Sequence, residues 1–166
     1  TEVQIEQSAY AVTPEIKGPF LRFLIKSKDL KQVLVFVSSS RTADNLTEKL
    51  IKNGIKAAAM HGKKSQGARY NALDDFKNGK VDVLIATDLI SRGIHIDSLP
   101  VVINYELPRS PLDYVHRIGR TGRAHGMGKA ISLITPEDEH HFKIIQKKAK
   151  IRIALETTEG INLQGY

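Results

Sequence analysis

The sequence predicts an α/β fold in which helices flank a mainly parallel central sheet. Short, largely apolar runs at Val33–Val37 and 81–86 are typical of strands that are buried on both faces. The intervening segments, such as 41–52, carry apolar side chains every three or four residues, which is the periodicity of an amphipathic helix. Because strands and helices alternate along the chain, we expect parallel strands joined by crossover helices.

The other predicted elements complete this alternation. A strand over 3–12 precedes a helix that begins at Thr13 and Pro14, since proline suits the first helical position. Ser40 and Ser65 are expected to cap the two helices that follow. Further strands are predicted at 57–60, 101–105 and 129–134, and further helices at 66–77, 111–119 and 135–148.

The chain is predicted to form one domain with a short tail. Its 166 residues suit a single domain, which we place at 1–155. Residues 156–166 are mostly polar and are expected to be loosely held.

Composition excludes several classes of protein. The chain has no cysteine, which rules out a disulfide scaffold and a Cys-based zinc site. No apolar run approaches the roughly 20 residues of a membrane span. A charged segment followed by an apolar one, as in a signal peptide, is not found at the start. We therefore expect a cytoplasmic protein without a membrane partner.

The charge balance favours a polyanionic partner. Twenty-five Lys and Arg residues against 18 Asp and Glu give a net charge of +7. Such a charge attracts nucleic acid or nucleotide phosphates, although it also serves solubility alone. The cations form three clusters along the chain, at 61–69, 109–129 and 143–152.

Residues that follow the predicted strands are the candidate binding residues, because ligands of parallel sheets bind at the carboxyl ends of the strands. These positions hold 38–41, 61–62, 87–88 and 114–123, which are rich in hydroxyls, glycines and arginines. Such groups bind phosphates from several directions.

Arg117, Arg120 and Arg123 recur at intervals of three in the last of these segments. Guanidinium groups stabilise the charge of a transferring phosphoryl group. Spacing alone leaves a second interpretation open, in which the arginines pair with carboxylates such as Asp113 and anchor a helix.

Five motifs in this chain resemble those of the DEAD-box RNA helicases. Residues 116–123, His-Arg-Ile-Gly-Arg-Thr-Gly-Arg, match the common form of motif VI in full. Four further stretches resemble motif IV, the HG…QxxR motif, motif V and the segment before motif VI; they are 33–41, 61–69, 86–93 and 104–108. The resemblance, from about residue 5 to 150, implies the C-terminal RecA-like domain, with three layers around a mainly parallel sheet. The compact motifs favour a bacterial source.

For the nucleotide, the resemblance implies two catalytic arginines, Arg120 and Arg123, which reach the γ-phosphate. Gly93 and Asp97 belong to the same expected ATP contact. The family's motif V carries an aspartate on the ATP ribose where this chain has His95. We hypothesise that Asp97 compensates, because residues two apart in an extended chain point the same way.

The chain lacks the sequence of a phosphate-binding loop. The resemblance therefore implies that ATP and Mg²⁺ are held mainly by an N-terminal RecA-like domain of the same protein. We expect this chain alone to be inactive as an ATPase, and to supply one half of an ATP-dependent RNA helicase that unwinds short duplexes.

For RNA, the resemblance implies contacts with the sugar-phosphate backbone and little sequence specificity. The expected RNA-binding residues are Ser40, Arg41, Gly62, Gln66, Arg69 and Thr87. Four further residues are expected to couple the RNA and ATP sites, namely Asp88, Arg92, His116 and Arg117. A local ion pair with Asp88 is an alternative role for Arg92.

Two rival functions remain at this stage. One is a standalone RNA-binding or regulatory module without catalysis, and the other is a related helicase that acts on DNA. No metal site is expected, because His140 and His141 lack further ligands at usable spacing. We expect the isolated domain to be monomeric.

Overall fold

The computed structural model describes residues 4–88, 96–122 and 127–166. Its strands are β1 (Ile5–Ala11), β2 (Val33–Val37), β3 (Ala57–Met60), β4 (Val83–Thr87), β5 (Val101–Asn104), β6 (Gly128–Ile134) and β7 (Leu155–Glu156). Its helices are α1 (Pro14–Ser27), α2 (Ser40–Lys52), α3 (Gln66–Lys77), α4 (Pro111–Ile118) and α5 (Glu139–Ala149). None of these helices is long and apolar enough to cross a bilayer.

The seven described strands form one sheet in the order β3-β4-β2-β5-β6-β1-β7. All neighbouring strands are parallel, so the carboxyl ends of the strands lie along one edge. The α/β class predicted from the alternation of strands and helices is confirmed. The observed bounds differ from the predicted ones by a few residues, as β4 shows in beginning at Val83 rather than at residue 81.

Helices cover both faces of the sheet, which explains why β2 is buried along its whole length. Alternate residues of β2, from Val33 to Val37, pack with α1 and α2 on one face. Leu34 and Phe36 point to the other face, where they pack with α3. Helices α4 and α5 extend that second layer over β1 and β6. The core therefore consists of two apolar layers separated by the sheet.

Serine side chains cap the N-termini of three of the helices. Ser65 and Ser110 accept hydrogen bonds from the backbone N–H groups of Ala68 and Asp113. The prediction of Ser40 as the cap of α2 is wrong by one residue. Ser39 has the extended backbone of a cap and accepts from the N–H of Thr42, so Ser40 is the first helical residue.

The last predicted helix is divided in two. Pro136–Asp138 forms one 3₁₀ turn, and the α-helix begins only at Glu139. The α-helix ends at Ala149, and its C-cap residue Lys150 has a φ of 57°, in the left-handed region.

Residues 156–166, which the sequence predicts to be loosely held, make specific contacts. Glu156 belongs to β7, which pairs with β1. The Thr158 hydroxyl donates to the carbonyl of Ala11 at 2.7 Å. The Arg22 guanidinium donates twice to the carbonyl oxygen of Tyr166, at 2.6 and 2.9 Å. These bonds tie the segment to β1 and α1.

A close backbone approach fixes the end of the arginine-rich segment. Gly122 has a φ of +74°, and a Cβ atom there would lie 2.5 Å from the carbonyl oxygen of Gln4. A Cβ on Gly128 would collide with Oγ1 of Thr121 and the backbone nitrogen of Gly122. Glycine is therefore required at both positions to let the chain pass the start of β1.

We predict that Gly128→Ala lowers the free energy of unfolding by about 2 kcal/mol or more, because the atoms it meets include backbone that cannot move aside. Gly67→Ala is the matched control, since Gly67 lies on α3 with open space around it and is expected to gain up to about 0.5–1 kcal/mol. Urea denaturation measures both. Equal stability of the two variants would contradict the close approach.

Candidate nucleic-acid interface

The predicted RNA-contacting residues at the strand ends lie in a row along the carboxyl edge of the sheet. Met60 pairs with Ala86 and Val37 pairs with Thr87, so the loops after β3, β4 and β2 are neighbours in that order. Thr87 is half-buried, while Ser38 and Gly62 are exposed on either side of it. Adjacent strands are about 4.8 Å apart, so the row spans about 10 Å.

A cleft of about 250 Å³ opens at this edge beside Thr87. Ser38, Asp88, Arg109 and Asp113 contribute polar side chains or backbone to its lining. The sequence alone assigned no individual role to Ser38 or Arg109, and Asp113 appeared only as a possible partner of the arginines. Arg109 is exposed and follows β5 by five residues, so the carboxyl-end rule applied to β5 would have found it.

Three helices begin at the same edge, because each follows a strand that ends there. Helices α2, α3 and α4 are capped by Ser39, Ser65 and Ser110. The backbone N–H groups and the dipole of a helix N-terminus favour anions. Arg41 is exposed in the first turn of α2, and Gln66 is exposed in the first turn of α3. The edge is therefore suited to phosphate.

Arg117 forms the most densely bonded group of the site. Its side chain is 1% exposed, and its Nε and Nη2 atoms donate to the two carboxylate oxygens of Asp88 at 2.6 and 2.7 Å. Its Nη1 atom donates to the carbonyl of Glu106 at 2.5 Å and to Oδ1 of Asn104 at 3.3 Å. The guanidinium also lies over the Phe36 ring, 4.9 Å from its centroid. The carboxylate that forms this bidentate pair with Arg117 is Asp88.

Asn104 and Glu106 support Arg117 and were given no role by the sequence. Asn104 is fully buried, and its amide donates to the Ser132 hydroxyl at 3.0 Å, which orients its oxygen toward Arg117. The Glu106 carboxylate accepts from the N–H of Ser38 at 2.8 Å. The one sequence feature that could have indicated this supporting role is an asparagine at the end of a predicted buried strand, because a buried amide needs hydrogen-bond partners.

A second polar cluster shapes the loop that carries Gly62. His61 is 1% exposed, and its Nε2 lies 2.8 Å from Oδ1 of Asp44. Its Nδ1 accepts from the N–H of Lys63, so Nε2 is the protonated nitrogen. The hydrogen bond from His61, with Lys64 nearby, lowers the pKa of the Asp44 carboxyl. The ring holds the loop so that Gly62 faces open space.

Arg69 lies one helical turn beyond Gln66 and is half-buried. Residues three apart share a face of a helix, so Gln66 and Arg69 border the same surface.

Arg120 contacts the backbone of the residue that precedes Asp97. Arg120 is half-buried, and its Nη1 donates to the carbonyl of Ile96 at 3.2 Å. The N–H of Leu99 donates to the carbonyl of Arg120, and the Thr121 hydroxyl donates to the carbonyl of Leu99. Asp97 is exposed next to Ile96. The segments 96–99 and 120–121 therefore form one unit.

Four of the predicted site residues lie outside the described residues, namely Arg92, Gly93, His95 and Arg123. His116 lies on α4 beside Arg117 and is exposed.

The described residues fit part of a nucleotide. A guanidinium at Arg120 is a donor for phosphate oxygens, and a carboxylate at Asp97 is an acceptor for ribose hydroxyls. Within the described ranges, no group of three or more His, Cys, Asp or Glu side chains could hold a metal ion.

We predict that Arg117→Met lowers the free energy of unfolding by about 3 kcal/mol, because it removes the hydrogen bonds that Arg117 donates to Asp88 and to the Glu106 carbonyl. Arg117→Lys should be intermediate, since lysine keeps the charge but not the paired bonds. The control is Arg109→Met at the exposed arginine of the same edge, expected within about 0.5 kcal/mol of the parent. Thermal denaturation compares the three; a loss no larger than that of Arg109→Met would refute the network.

Comparisons with known proteins agree with the fold and the motifs. The model of the helicase conserved C-terminal domain matches residues 17–125. The ATP-dependent RNA helicase RhlB of Pseudomonas syringae is 40% identical over 153 residues, which are 92% of this chain and 38% of RhlB. The chain thus spans less than half the length of that relative.

Solved structures extend the likeness to three dimensions. A DEAD box protein of Methanococcus jannaschii has a TM-score of 0.86 and 40% identity, covering 94% of this chain and 42% of that protein. Saccharomyces cerevisiae Dbp5, solved with RNA and ADP BeF3, has a TM-score of 0.84 and 30% identity over 96% of this chain and 43% of Dbp5. These relatives come from a bacterium, an archaeon and a yeast, so a bacterial source stays a prediction.

The parallel three-layer sheet, the buried arginine network at its carboxyl edge and these likenesses agree with one another. The chain belongs to the helicase conserved C-terminal domain family and is a RecA-like domain of the DEAD-box type.

Proposed function

We propose that this chain is the second half of the core of an ATP-dependent RNA helicase. It contributes an RNA-binding edge and arginines for ATP, while an N-terminal RecA-like domain of the same protein holds most of the ATP and its Mg²⁺. One observation carries the proposal. Asp88 follows Thr87 on the RNA side and binds Arg117, three residues before Arg120 on the nucleotide side.

The RNA strand would lie across the loops after β3, β4 and β2. The Gly62 N–H and the Thr87 hydroxyl are donors for phosphate oxygens, and Gln66 and Arg69 approach the same strand from α3. Ser40 and Arg41 extend this track at the start of α2. Because all these groups address the backbone, binding would be tolerant of sequence. Ribose hydroxyls offer a way to favour RNA over DNA.

The carboxylates at this edge do not oppose RNA binding strongly. Arg117 pairs with Asp88, and His61 and Lys64 contact Asp44. The remaining side chains at the row include exposed cations such as Arg41, Lys63 and Arg109. The local field therefore favours phosphate, in line with the net charge of +7.

On the nucleotide side, ATP supplies the phosphoryl group whose charge Arg120 and Arg123 would stabilise. Asp97 and Gly93 would border the ribose, with His95 where the family usually has aspartate. Because Arg120 already bonds to the Ile96 carbonyl, the segment that carries Asp97 and the arginine would move as one unit. That unit would meet the nucleotide only when the two RecA-like domains close.

The hydrogen-bond network of Arg117 would couple the RNA-binding edge to the residues that contact the nucleotide. RNA that orders Thr87 and Asp88 would act through Arg117 on α4 and so on Arg120, with His116 and Arg92 as further coupling residues. A ligand at either end would then favour the same closed arrangement of the domains, which is reciprocal coupling. Dbp5, which this chain resembles, is solved with RNA and ADP BeF3 bound together, and this likeness supports joint binding of RNA and nucleotide. We further propose that the isolated chain is monomeric and that the protein acts in the cytoplasm.

Arg69→Ala should weaken binding of single-stranded RNA to this chain. Removal of one phosphate contact should also reduce the slope of log affinity against log salt by about 0.7. Fluorescence anisotropy with a labelled oligouridine at several salt concentrations measures both quantities. Lys26→Ala is the control, because Lys26 is exposed in the last turn of α1, at the opposite edge of the sheet. A salt slope unchanged by Arg69→Ala would remove this residue from the track.

Arg120→Ala in the full-length protein should lower the kcat of RNA-stimulated ATP hydrolysis by at least about 100-fold with little change in RNA affinity, because the guanidinium acts on the transferring phosphate. The measurement is a steady-state ATPase assay, with the melting temperature recorded to exclude loss of fold. Lys26→Ala should behave as the parent. A normal kcat for Arg120→Ala would refute the role of this arginine and leave the RNA track untouched.

A further inference from the structure

The edge strand β3 lies in a groove whose features the RNA site does not use. It is at one end of the sheet, where β4 is its only neighbour among the described strands. The carbonyl of Lys56, just before β3, accepts from the N–H of Val83 in β4. Backbone groups alternate in direction along a strand, so the N–H and C=O groups of Ala57 and Ala59 face away from β4.

Two helices turn this free edge into a groove. Helix α2 packs on one face of the sheet with Ala57 and Ala59, and α3 packs on the other face with Ala58. The groove between them measures about 530 Å³ and has β3 along its floor. Ala68 and Ala72 line the α3 side, so small side chains leave room for a backbone to approach β3.

The rim of the groove is acidic, although the chain carries a net charge of +7. Asp44 and Glu48 line it from α2, where Asp44 contacts Lys64 and Glu48 contacts Lys52, each at 3.6 Å. Asp75 lines it from α3, and Lys64 is the one cation among the described residues of the lining itself. Ile51, 55% exposed, adds apolar surface at one end. Charge complementarity thus selects a basic occupant.

We propose that this groove binds an extended, basic segment of a partner protein, which adds to β3 as an eighth strand. Main-chain hydrogen bonds to Ala57 and Ala59 would supply affinity, and lysine or arginine side chains of the segment would meet Glu48 and Asp75.

The same features disfavour other occupants. RNA phosphates would be repelled by the carboxylates of Glu48 and Asp75. A second copy of this chain would bring an equally recessed edge and an equally acidic rim, so that the two strands could not meet without contact between like charges. A single extended basic segment has neither negative charge nor a recessed edge, so neither effect opposes its binding.

The test uses the ¹⁵N-labelled chain and an acetylated, amidated heptapeptide of alternating lysine and valine. We expect the amide resonances of Ala57 and Ala59 to shift on titration and their hydrogen exchange to slow. The same peptide with N-methyl groups on alternate residues, and a peptide of alternating glutamate and valine, should fail to produce these effects.

Adjacent carboxylates on α3 provide a matched pair of variants. Asp75 lines the groove, whereas Asp74 is exposed and does not. Asp75→Lys should weaken binding of the lysine peptide at least about threefold, and Asp74→Lys should leave it unchanged. Both are surface changes, and the spectrum of each free variant reports whether it is folded.

Four results would overturn the proposal: no shift of Ala57 and Ala59 at millimolar peptide, equal binding of the glutamate peptide, equal effects of the two lysine variants, or protection of Ala57 and Ala59 by oligouridine. Concentration-dependent dimerisation that protects these two amides would also overturn it in favour of a second copy. Apart from the oligouridine result, none of these outcomes bears on the RNA track, so failure of this proposal can be distinguished from failure of the proposed function.

Discussion

The bidentate pair between Arg117 and Asp88 is the interaction on which the site depends. An arginine side chain that is 1% exposed must have its charge and its donors satisfied within the protein. Asp88 supplies the charge, while Glu106 and Asn104 supply further acceptors. Because these partners follow β4 and β5, one side chain of α4 fixes the relative positions of two strand ends and a helix. The cation in this position therefore orders the site, and its removal alone is expected to destabilise the fold as well.

The position of Arg120 follows from that constraint. The N–H of Arg120 donates to the carbonyl of Arg117, and its guanidinium reaches the Ile96 carbonyl. The close passage at Gly122 and Gly128 then fixes where the chain leaves the site. The adjacent residues Arg120, Thr121 and Gly122 thus play distinct structural roles.

The sequence predicted the strands and helices well because they depend on local patterns, such as the uninterrupted apolar run of β2. It failed where tertiary contacts decide. Ser39 and Ser40 are both good capping residues, and only the extended backbone of Ser39 selects between them. Spacing offered Asp113, one helical turn before Arg117, as an example of a local partner, whereas the carboxylate found on Arg117 is that of Asp88, 29 residues away. The bonds of Arg22 to Tyr166 span 144 residues and left no local signal.

For the site, the rule that ligands bind at the carboxyl ends of parallel strands led directly to Gly62 and Thr87, which the register places on adjacent strands. Their individual roles came from the motif resemblance, since spacing alone left Arg117 and Arg120 open to two interpretations. The acidic groove beside β3 could not be predicted, because Glu48 and Asp75 belong to helices on opposite faces of the sheet. Thus the structure separates a basic edge suited to RNA from an acidic groove on one small domain.

Under the proposed function, this chain supplies only half of a composite ATPase site. RNA-stimulated ATP hydrolysis should therefore be measured for the chain alone and for the full-length protein under the same conditions. We expect no ATP turnover by the chain alone and RNA-dependent ATP turnover by the full-length protein. Turnover by the chain alone would contradict this expectation, because the chain would then hold a complete phosphate-binding site of its own.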